Sequence, residues 1–505
     1  MPQATTAPPS ATSGTVTTRF RLALLWILFS ATNYGYGISE LNALQPILTC
    51  HSRDSTITDL VLPIATGCIP LTESQFGLVT SLFTLGGLVS SFLISPVSKS
   101  LGWGRKTCIT WSSIAGIAGG SVLGLSSGIG GLGMGRFFQG LGSGIGVVMV
   151  PIFLNEISPV ALKGNIGVLN QFSIVLGIFV AQAIGASWLG SDGKYWRAVP
   201  LTSGLVSLLQ LVATYSVGLE SPGWLEGEGK AVVGSGTVAR DRADEIRSML
   251  WSAKEVQSWK EGRSSGGART DEERQGLLAG DSEYEDTNST ANRSSERHQV
   301  GLMGLFKDPE VKPGAILIVL TQLGQQLSGI NAVLYYSVGI LGSILPALAG
   351  SIGILITVIN IIMTFPPIYL IDEHRVGRKS LMVGSAIVMS VASALLGAGI
   401  VYGYKMISAS CMILMVAGFS FGLGPIPFVI LPELVPSRAV STATSLGLTL
   451  NWTANFLVGS AFLPVKNMLA SYDQNHTGGA VFYIFSLTNL ITAIVVARMY
   501  RYNPE

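Results

Sequence analysis

Residues 76–106 read FGLVTSLFTLGGLVSSFLISPVSKSLGWGRK, an apolar run that ends in the basic triplet Gly-Arg-Lys at 104–106. The run exceeds the roughly 20 apolar residues that a helix needs to cross about 30 Å of hydrocarbon. The triplet recurs at 377–379, after another apolar run. Glu156 in NEISPVALKG and Glu433 in LPELVPSRA repeat at nearly the same offset. Two features that recur at one offset indicate two duplicated halves.

The composition of the chain is that of a membrane protein. Of its 505 residues, 48% are hydrophobic and only 12% are charged, whereas soluble domains carry about 25% charged residues. The charged residues concentrate between Glu226 and Glu310, so the rest of the chain is more apolar still. We therefore exclude an ordinary cytosolic protein, a secreted protein and a nucleic-acid-binding protein, and we expect the lipid bilayer as a partner.

The apolar runs predict an all-α integral membrane protein of twelve transmembrane helices in two pseudo-symmetric six-helix halves. The predicted helices span residues 22–42, 75–96, 107–126, 129–151, 165–187, 198–218, 313–338, 346–370, 380–402, 407–431, 441–463 and 480–498. An even number of helices puts both termini on one side of the membrane. Outside the central segment, 12 Lys and Arg residues lie on that side against 5 on the other. Because basic residues favour the cytosolic side, we expect both termini in the cytosol.

These helices divide the chain into five regions. We predict a disordered cytosolic tail at 1–21, a six-helix half at 22–218, a cytosolic central loop at 219–312, a second six-helix half at 313–500 and a short cytosolic tail at 501–505. The first 20 residues have no apolar core, so they are a tail and not a signal peptide. The loop is polar and rich in Gly and Ser, which favours disorder. Within it, 243–259 is either an amphipathic helix against the gate or part of a plain linker.

Amide side chains inside the predicted helices mark the candidate binding site. Polar groups at bilayer depth are costly unless they face a partner or a watery cavity. The helical amides are Asn170, Gln171, Gln182, Gln322, Gln325, Gln326, Asn331, Asn360, Asn451 and Asn455. Amides donate and accept hydrogen bonds, as sugar hydroxyls do, so a sugar or polyol fits them. The alternative is that single amides only hold helices together. An organic anion would need more helical cations than Arg136, and a cation would need more acids than Glu40.

Two prolines interrupt the tenth predicted helix. Pro425 and Pro427 remove two backbone donors, so the helix must bend or break there. With Phe428 beside it, the break is either a hinge with an aromatic lid or a static kink. Glycines at 140–146 match a nucleotide-binding pattern, but no strand precedes them and they suit helix packing. The sequence shows no metal-ligand spacing and no nucleophile motif, so we expect neither an enzyme nor a cofactor.

The motifs GQQLSGINAVLYYS, GPIPF, NWTANF, GRFFQGLGSG, NEISPVALKG and ESPGWL together resemble the sugar porter family of the major facilitator superfamily, and within it the facilitative hexose transporters. The resemblance covers about residues 22 to 500, apart from the enlarged central loop. It implies the major facilitator fold and transport of a monosaccharide, a hexose or a related polyol, by alternating access. It also implies that the sugar is held by Gln171, Gln325, Gln326, Asn331, Asn360, Asn451 and Asn455.

The resemblance also assigns gating roles, and the chain departs from the family pattern in several of them. The cytosolic salt-bridge residues correspond to Arg105, Glu156, Glu220, Arg378 and Glu433. Three positions where the family has Arg carry another residue here: Lys163, Gly223 and Val440. We therefore expect the closed cytosolic gate to be looser than in the family. Phe428 replaces the usual Trp and Ser420 the usual Glu, which leaves the identity of the sugar open.

The first helix bears on the coupling of transport. Proton symporters of the family carry Asp where this chain has Gly37, so the simpler expectation is uniport. Glu40 lies three residues further on and is the alternative proton carrier for a symporter. It is otherwise a solvated carboxylate at the outer mouth. A third alternative is a non-transporting sugar receptor that signals through the central loop.

Short motifs bear on which membrane holds the protein and on which partners it has. Residues from Glu273 to Leu278 match an acidic dileucine pattern, so a sorting adaptor is a candidate partner and the vacuolar or endolysosomal membrane an alternative to the plasma membrane. Asn475 begins a glycosylation sequon on a non-cytosolic loop. Cys50 and Cys68 share another non-cytosolic loop, where they either form a disulfide or stay as free thiols. We expect a functional monomer.

Overall fold

The structure is a computed structural model that describes residues 16–49, 69, 71–159, 162–188, 195–227, 236–261, 302–342, 345, 348–371, 376–431, 434–436, 439–471 and 477–500. Several predictions concern residues outside these ranges. They are the tails 1–15 and 501–505, the pair Cys50 and Cys68, the sorting sequence at 273–278, the gating residue Glu433 and the sequon at Asn475.

The first half of the chain is helical throughout its described part. Its helices are α1 (Thr18–Ser39), α2 (Gln45–Leu48), α3 (Glu73–Leu101), α4 (Arg105–Leu125), α5 (Ile129–Ile157), α6 (Lys163–Trp188) and α7 (Ala198–Ser216). Local sequence fixes their ends. The side chains of Thr72 and Gln75 cap the start of α3 reciprocally, and Gly102 ends it in the left-handed conformation that glycine tolerates.

The central loop contributes short helices. They are α8 (Pro222–Glu226), α9 (Gly236–Leu250), α10 at 253–261 and α11 (Gly304–Lys307). The predicted amphipathic segment at 243–259 is therefore helical, except at the turn between α9 and α10. The Arg247 guanidinium at the end of α9 binds the Glu226 carboxylate through two hydrogen bonds of 2.6 and 2.7 Å. This ion pair fastens α9 to α8.

Three of the predicted helices in the second half are interrupted: the seventh, the eighth and the tenth. Its helices are α12 (Lys312–Gln326), α13 (Ile330–Gly342), α14 (Ala349–Met363), α15 (Pro366–Leu370), α16 (Arg378–Val401), α17 (Lys405–Gly418), α18 (Ile426–Ile430), α19 (Val440–Ala470) and α20 (Val481–Met499). A π-helical turn at Phe419–Leu423 joins α17 to α18. The break predicted from Pro425 and Pro427 therefore occurs.

Nine helical segments in the described part of the chain are long and apolar enough to cross a membrane. They include α12 and α13 taken together as Lys312–Gly342. The three other predicted spans correspond to α1, to α14 with α15, and to α19. Several helices extend beyond the predicted spans, α19 by seven residues past residue 463. An apolar run marks only the hydrocarbon-facing part of a helix, whereas backbone hydrogen bonds continue into polar sequence.

The two ends of the bundle differ. At one end lie the start of α1, the end of α5 and the helices α8 to α10; we call it the linker end. There the Trp251 indole donates to the backbone oxygen of Ile157 at 2.7 Å, and the backbone N–H of Thr17 donates to Leu250 at 3.1 Å. The loop helices are thus fastened to the first half. The end that carries Asn42, Glu73 and Lys466 is called the opposite end.

Helices α3 and α19 form an antiparallel contact between the halves. At the opposite end the Glu73 carboxylate lies 3.8 Å from the Lys466 ammonium. Further along, a Cβ on Gly77 would touch the Gly459 backbone at 3.7 Å, and one on Gly87 would lie 2.5 Å from the Trp452 ring. The halves are therefore in close contact from the opposite end to about the middle of α3.

Candidate functional site

The break between α12 and α13 places several predicted amides beside one another. It is centred on Gly329, whose φ is +87° and whose Cβ would lie 2.6 Å from the Phe485 ring. Only glycine meets both demands without strain. Gln325 and Gln326 lie just before the break, and Asn331 just after it. All three side chains are buried.

Gln325 connects two of the interrupted helices. Its Nε2 donates to the backbone oxygens of Leu423 at 2.7 Å and Gly424 at 2.9 Å. In a regular helix the Leu423 oxygen would accept from the N–H of residue 427, but Pro427 has none. The proline therefore leaves free a carbonyl that Gln325 binds. The breaks in the seventh and tenth predicted helices are joined through this one side chain.

The other amides near the two breaks form hydrogen bonds with one another. Asn451 on α19 donates to Gln322 Oε1 at 2.8 Å and to Gln325 Oε1 at 2.6 Å. Gln326 donates to Gln325 Oε1 at 3.2 Å, and Asn331 donates to Gln326 Oε1. These five side chains, at 322, 325, 326, 331 and 451, are called the amide cluster. Gln322 Nε2 is buried without a hydrogen-bond partner, so the cluster retains a free donor.

Two further predicted amides have partners outside the cluster. Asn360 Oδ1 accepts from the Ser420 hydroxyl at 2.7 Å, and Asn455 Oδ1 accepts from the Tyr335 hydroxyl at 3.0 Å. All four side chains are buried. Ser420 thus keeps a polar contact at the position where the resemblance implies Glu. Tyr335 was not among the predicted site residues, although its place in the GINAVLYYS motif was the available signal.

The other predicted binding residues are less enclosed. Gln171 on α6 is half-buried. Phe428 on α18 is 43% exposed, so its ring is not part of the core. Phe172, next to Gln171, lies 5.6 Å from Phe365 between the ring centroids, which brings α6 of one half against the second half beyond α14. Gln171 is therefore next to a contact between the halves, whereas the hydrogen bonds of the amide cluster all join residues of the second half.

The chemistry of the cluster is that of neutral hydrogen bonding. Its members carry several donors and acceptors that now satisfy one another, and burying such groups unpaired would be costly. A ligand with alternating O–H donors and oxygen acceptors can replace these bonds one for one. The cluster contains no charged side chain, so it offers nothing specific to an anion or a cation.

A buried ion pair lies in the first half. Arg136 Nη1 is 3.2 Å from Glu40 Oε2, and both side chains are fully buried. Gln139 donates to the other Glu40 oxygen at 3.2 Å and to Ser203 at 2.7 Å. The interpretation of Glu40 as a solvated carboxylate at the outer mouth is therefore wrong. The pairing was missed from the sequence, yet Glu40 and Arg136 were the two charges noted inside predicted helices, and such charges tend to pair.

Gly37 takes part in this site through its backbone. Its carbonyl oxygen accepts from Arg136 Nη1 at 2.8 Å. A Cβ on Gly37 would lie 2.6 Å from the Phe83 ring, which itself stacks on the Arg136 guanidinium at 4.5 Å. An Asp at this position would collide with that ring. The carboxylate that pairs with Arg136 therefore comes from Glu40, at the end of α1.

A separate group of polar residues, towards the opposite end, joins the two halves. Asn42 donates to Ser337 at 2.8 Å and to Gln182 at 3.3 Å, and its Oδ1 accepts from the backbone N–H of Val338 at 3.1 Å. Asn42 belongs to the first half, whereas Ser337 and Val338 are in α13. Sequence analysis included Gln182 but missed Asn42, because a single Asn at a predicted helix end gives no indication of its partner.

The linker end carries the predicted gating charges. Arg105 binds Glu156 through two hydrogen bonds of 3.0 and 3.2 Å, and the Ser221 hydroxyl also donates to Glu156. Glu220 Oε1 accepts from the backbone N–H of Arg105 at 2.7 Å. Burial raises the pKa of the Glu220 carboxyl, and backbone N–H donors oppose that rise. Three of the five predicted gating residues thus form one cluster.

The other gating predictions are only partly visible. Arg378 begins α16, while Glu433, another predicted salt-bridge residue, is outside the described residues, as is the side chain of Lys163. Gly223 packs on Glu156, since a Cβ there would lie 2.7 Å from Glu156 Cγ. Where the family pattern has Arg, this chain has Gly223, whose backbone lies against the Glu156 side chain.

Comparison with known proteins agrees with this architecture. The family model described as "Sugar (and other) transporter" matches residues 22–501. The chain is 30% identical over 499 residues to the probable metabolite transport protein YBR241C of Saccharomyces cerevisiae, covering 97% of this chain and 93% of that protein. It is 31% identical to the human facilitated glucose transporter member 4 of solute carrier family 2, covering 90% of this chain and 84% of that protein.

The fold has a counterpart among solved structures. The xylose transporter XylE from E. coli, in a partially occluded inward-open conformation, superposes with a TM-score of 0.65 at 20% identity, covering 97% of this chain and all of that one. The twelve-helix arrangement in two halves is therefore the major facilitator fold, and the protein is a transporter and not an enzyme. With a family model that matches nearly its whole length, the chain belongs to the sugar (and other) transporter family.

Proposed function

We propose that the protein moves a monosaccharide, a hexose or a related polyol, across the membrane by alternating access of its two halves. The observation that carries this proposal is the amide cluster, in which Gln325 joins the breaks of two helices. Neutral amides beside the breaks of two helices suit a ligand made of hydroxyls. Relatives described as glucose or xylose transporters support the same substrate class.

The cluster provides a physical route from binding to movement. A sugar hydroxyl that accepts from Gln325 Nε2 takes that donor from the Leu423 and Gly424 carbonyls. The break between α17 and α18 then loses a constraint at the moment when the site is filled. Discontinuous helices beside a central site are characteristic of transporters that rock one half against the other.

Facilitated uniport is the mode that we propose first. The position that carries Asp in the proton symporters resembled by this chain is Gly37, and the Phe83 ring leaves no room there for a side chain. Arg136 Nη1 already donates to Glu40, to the Gly37 carbonyl and to Gln139, whereas the Arg136 Nε is buried without a hydrogen-bond partner among the described residues. An ion pair with these partners needs no proton for its stability.

Proton-coupled symport is the second candidate, and the burial of Glu40 favours it. The carboxylate is enclosed between Arg136 and Gln139 at the end of α1, and it reaches the region where α1 approaches α13. If the opposite end opened, water would reach Glu40 and a proton would compete with Arg136. Transport would then depend on the proton gradient, with Glu40 as the carrier.

The setting of the protein is proposed from sequence alone. We place the linker end in the cytosol because basic residues flank it, and we place the protein in the plasma membrane or a vacuolar or endolysosomal membrane. The structure adds that the segment of the central loop at the end of α9 is bonded to the first half, through Trp251 to Ile157 and through Leu250 to Thr17. We propose a functional monomer, with a sorting adaptor as the additional partner of residues 273–278.

Uptake by purified protein in liposomes tests these proposals together. A panel of labelled hexoses, pentoses and polyols is offered with and without an imposed pH gradient. Saturable uptake that ignores the gradient supports uniport, whereas accumulation driven by the gradient supports Glu40 symport. If no sugar moves and yet one binds, the transport proposal is wrong and the protein is a sugar receptor.

A further inference from the structure

The opposite end of the bundle contains an ion pair that joins the two halves. Glu73 is the first residue of α3 in the first half, and Lys466 is near the end of α19 in the second. Their charged atoms, Oε2 and Nζ, are 3.8 Å apart, and the side chains are 29% and 25% exposed. None of the predicted gating charges that the structure describes, Arg105, Glu156, Glu220 and Arg378, lies at this end.

Local structure holds both partners in position. The reciprocal cap between Thr72 and Gln75 fixes the first turn of α3, on which Glu73 lies. Gly478 has a φ of +65°, and a Cβ there would lie 2.5 Å from the Lys466 backbone oxygen. The segment before α20 therefore presses on α19 at Lys466. A positive φ together with this close approach explains why glycine is needed.

The pair has an electrostatic reason to persist. Glu73 Oε2 is shielded from solvent and has no hydrogen-bond partner in the part of the chain that the structure describes. A carboxylate oxygen that is neither hydrated nor hydrogen-bonded needs a nearby positive charge. At 3.8 Å the Lys466 ammonium supplies that charge without a hydrogen bond.

Opening of the opposite end would have to break this pair. From this pair towards the linker end, α3 and α19 remain in contact through Gly77 with Gly459 and through Gly87 with Trp452. Fourteen residues separate Glu73 from Gly87 and Lys466 from Trp452, about 21 Å along each helix. A rocking motion that separates the halves at this end moves Glu73 and Lys466 farthest, because they are at the tip.

We propose that Glu73 and Lys466 form an ion-pair lock that disfavours the state open at the opposite end. The inference rests on the proposed alternating access, and it assigns to this chain a positioning pair outside the amide cluster and outside the linker-end charges. Partly exposed pairs of this kind are weak, so the lock should change the population of the open state by roughly two- to fivefold. High salt should weaken it.

Distance measurements between spin labels test the lock without requiring transport. Ser127 and Ser471 are exposed, lie at the opposite end and belong to different halves. Both are changed to Cys and labelled in a chain whose four native cysteines are replaced by Ala and whose melting temperature is unchanged. Pulsed electron paramagnetic resonance in nanodiscs then measures the fraction of molecules at the longer distance.

Two single variants, their double variant, a charge exchange and a control separate the lock from other effects. Glu73→Gln also removes an acid from the start of a helix, whereas Lys466→Gln does not. Lys405→Gln removes an exposed lysine at the same end of the bundle and serves as the matched control. The exchange Glu73→Lys with Lys466→Glu keeps the pair but inverts its polarity.

We expect each single variant to raise the longer-distance fraction about two- to fivefold. The double variant Glu73→Gln with Lys466→Gln should have no further effect, the exchange should restore the native distribution, and the control should not change it. Unchanged distributions in both single variants, or additive effects of the two, would overturn the lock. Failure of every sugar to enter liposomes would instead contradict the proposed function, so the two failures are distinguishable.

Discussion

Replacement of Gln325 by Ala is the most direct test of the amide cluster. The native side chain makes four hydrogen bonds: two to the backbone carbonyls at the α17–α18 break, and two from Asn451 and Gln326. Ala removes all four and leaves buried carbonyls and amides to find other partners. We expect the variant to insert normally in the membrane, since the surrounding helices are unchanged, but to lose uptake.

The size of the effect on binding follows from the bonds that the sugar would lose. Each neutral hydrogen bond contributes about 0.5–1.5 kcal/mol net. If the sugar forms two such bonds with the Gln325 amide, one as acceptor and one as donor, the loss is about 1–3 kcal/mol. At about 1.4 kcal/mol for each tenfold change, the Kd should rise roughly 5- to 150-fold.

The assay combines equilibrium binding with uptake. The Kd is measured on detergent-purified protein by isothermal titration calorimetry, and uptake is measured in liposomes with equal protein content. The matched control is Gln210→Ala on α7, which truncates a buried Gln of the first half that is outside the cluster. The control should bind sugar with the native Kd. A native Kd for Gln325→Ala, in protein with a native melting temperature, would refute our assignment of the site.

Three further predictions concern the stability of the protein and the attachment of α9. Glu40→Gln should destabilise the protein by about 3–5 kcal/mol, because it leaves the buried Arg136 charge unpaired, and the added change Arg136→Met should recover much of the loss in thermal unfolding. Gly329→Ala should cost at least about 1–2 kcal/mol for its left-handed backbone, whereas Gly342→Ala, with open space at its Cβ, should stay within about 1 kcal/mol of the native chain in the same melt. Trp251→Phe keeps the aromatic body but removes one hydrogen bond, so trypsin should cleave α9 several times faster while the sugar Kd is unchanged.

Features that depend on the chemistry of single segments could be predicted from the sequence. The break of the tenth predicted helix follows from its two prolines and occurs where expected. The cluster of Gln325 and Gln326 was identified because amides at bilayer depth need partners. The helical class and the approximate positions of the membrane spans followed from apolar length alone.

Features that depend on how helices are rotated and shifted against one another were not predicted. The pairing of Glu40 with Arg136 requires a particular rotation of α1 relative to α5, and the polar pattern of either helix is compatible with several rotations. The contact of Asn42 with Ser337 and the register of α3 on α19 depend in the same way on packing. The sequence supplied the interacting groups, and the packing of the helices selected the partners.

The position of Gln325 has a consequence for selectivity. Pro427 frees the Leu423 carbonyl, Gln325 binds it, and Asn451 holds Gln325 by its oxygen. At the proposed site, a sugar would therefore compete with internal bonds of nearly ideal length, and only a ligand that replaces several at once would compensate for the loss. A sugar with one misplaced hydroxyl leaves a buried amide or carbonyl unpaired, at a cost of about 1–3 kcal/mol. Because the same amide restrains the α17–α18 break, a poorly matched sugar would also fail to release it, so binding and movement would discriminate together.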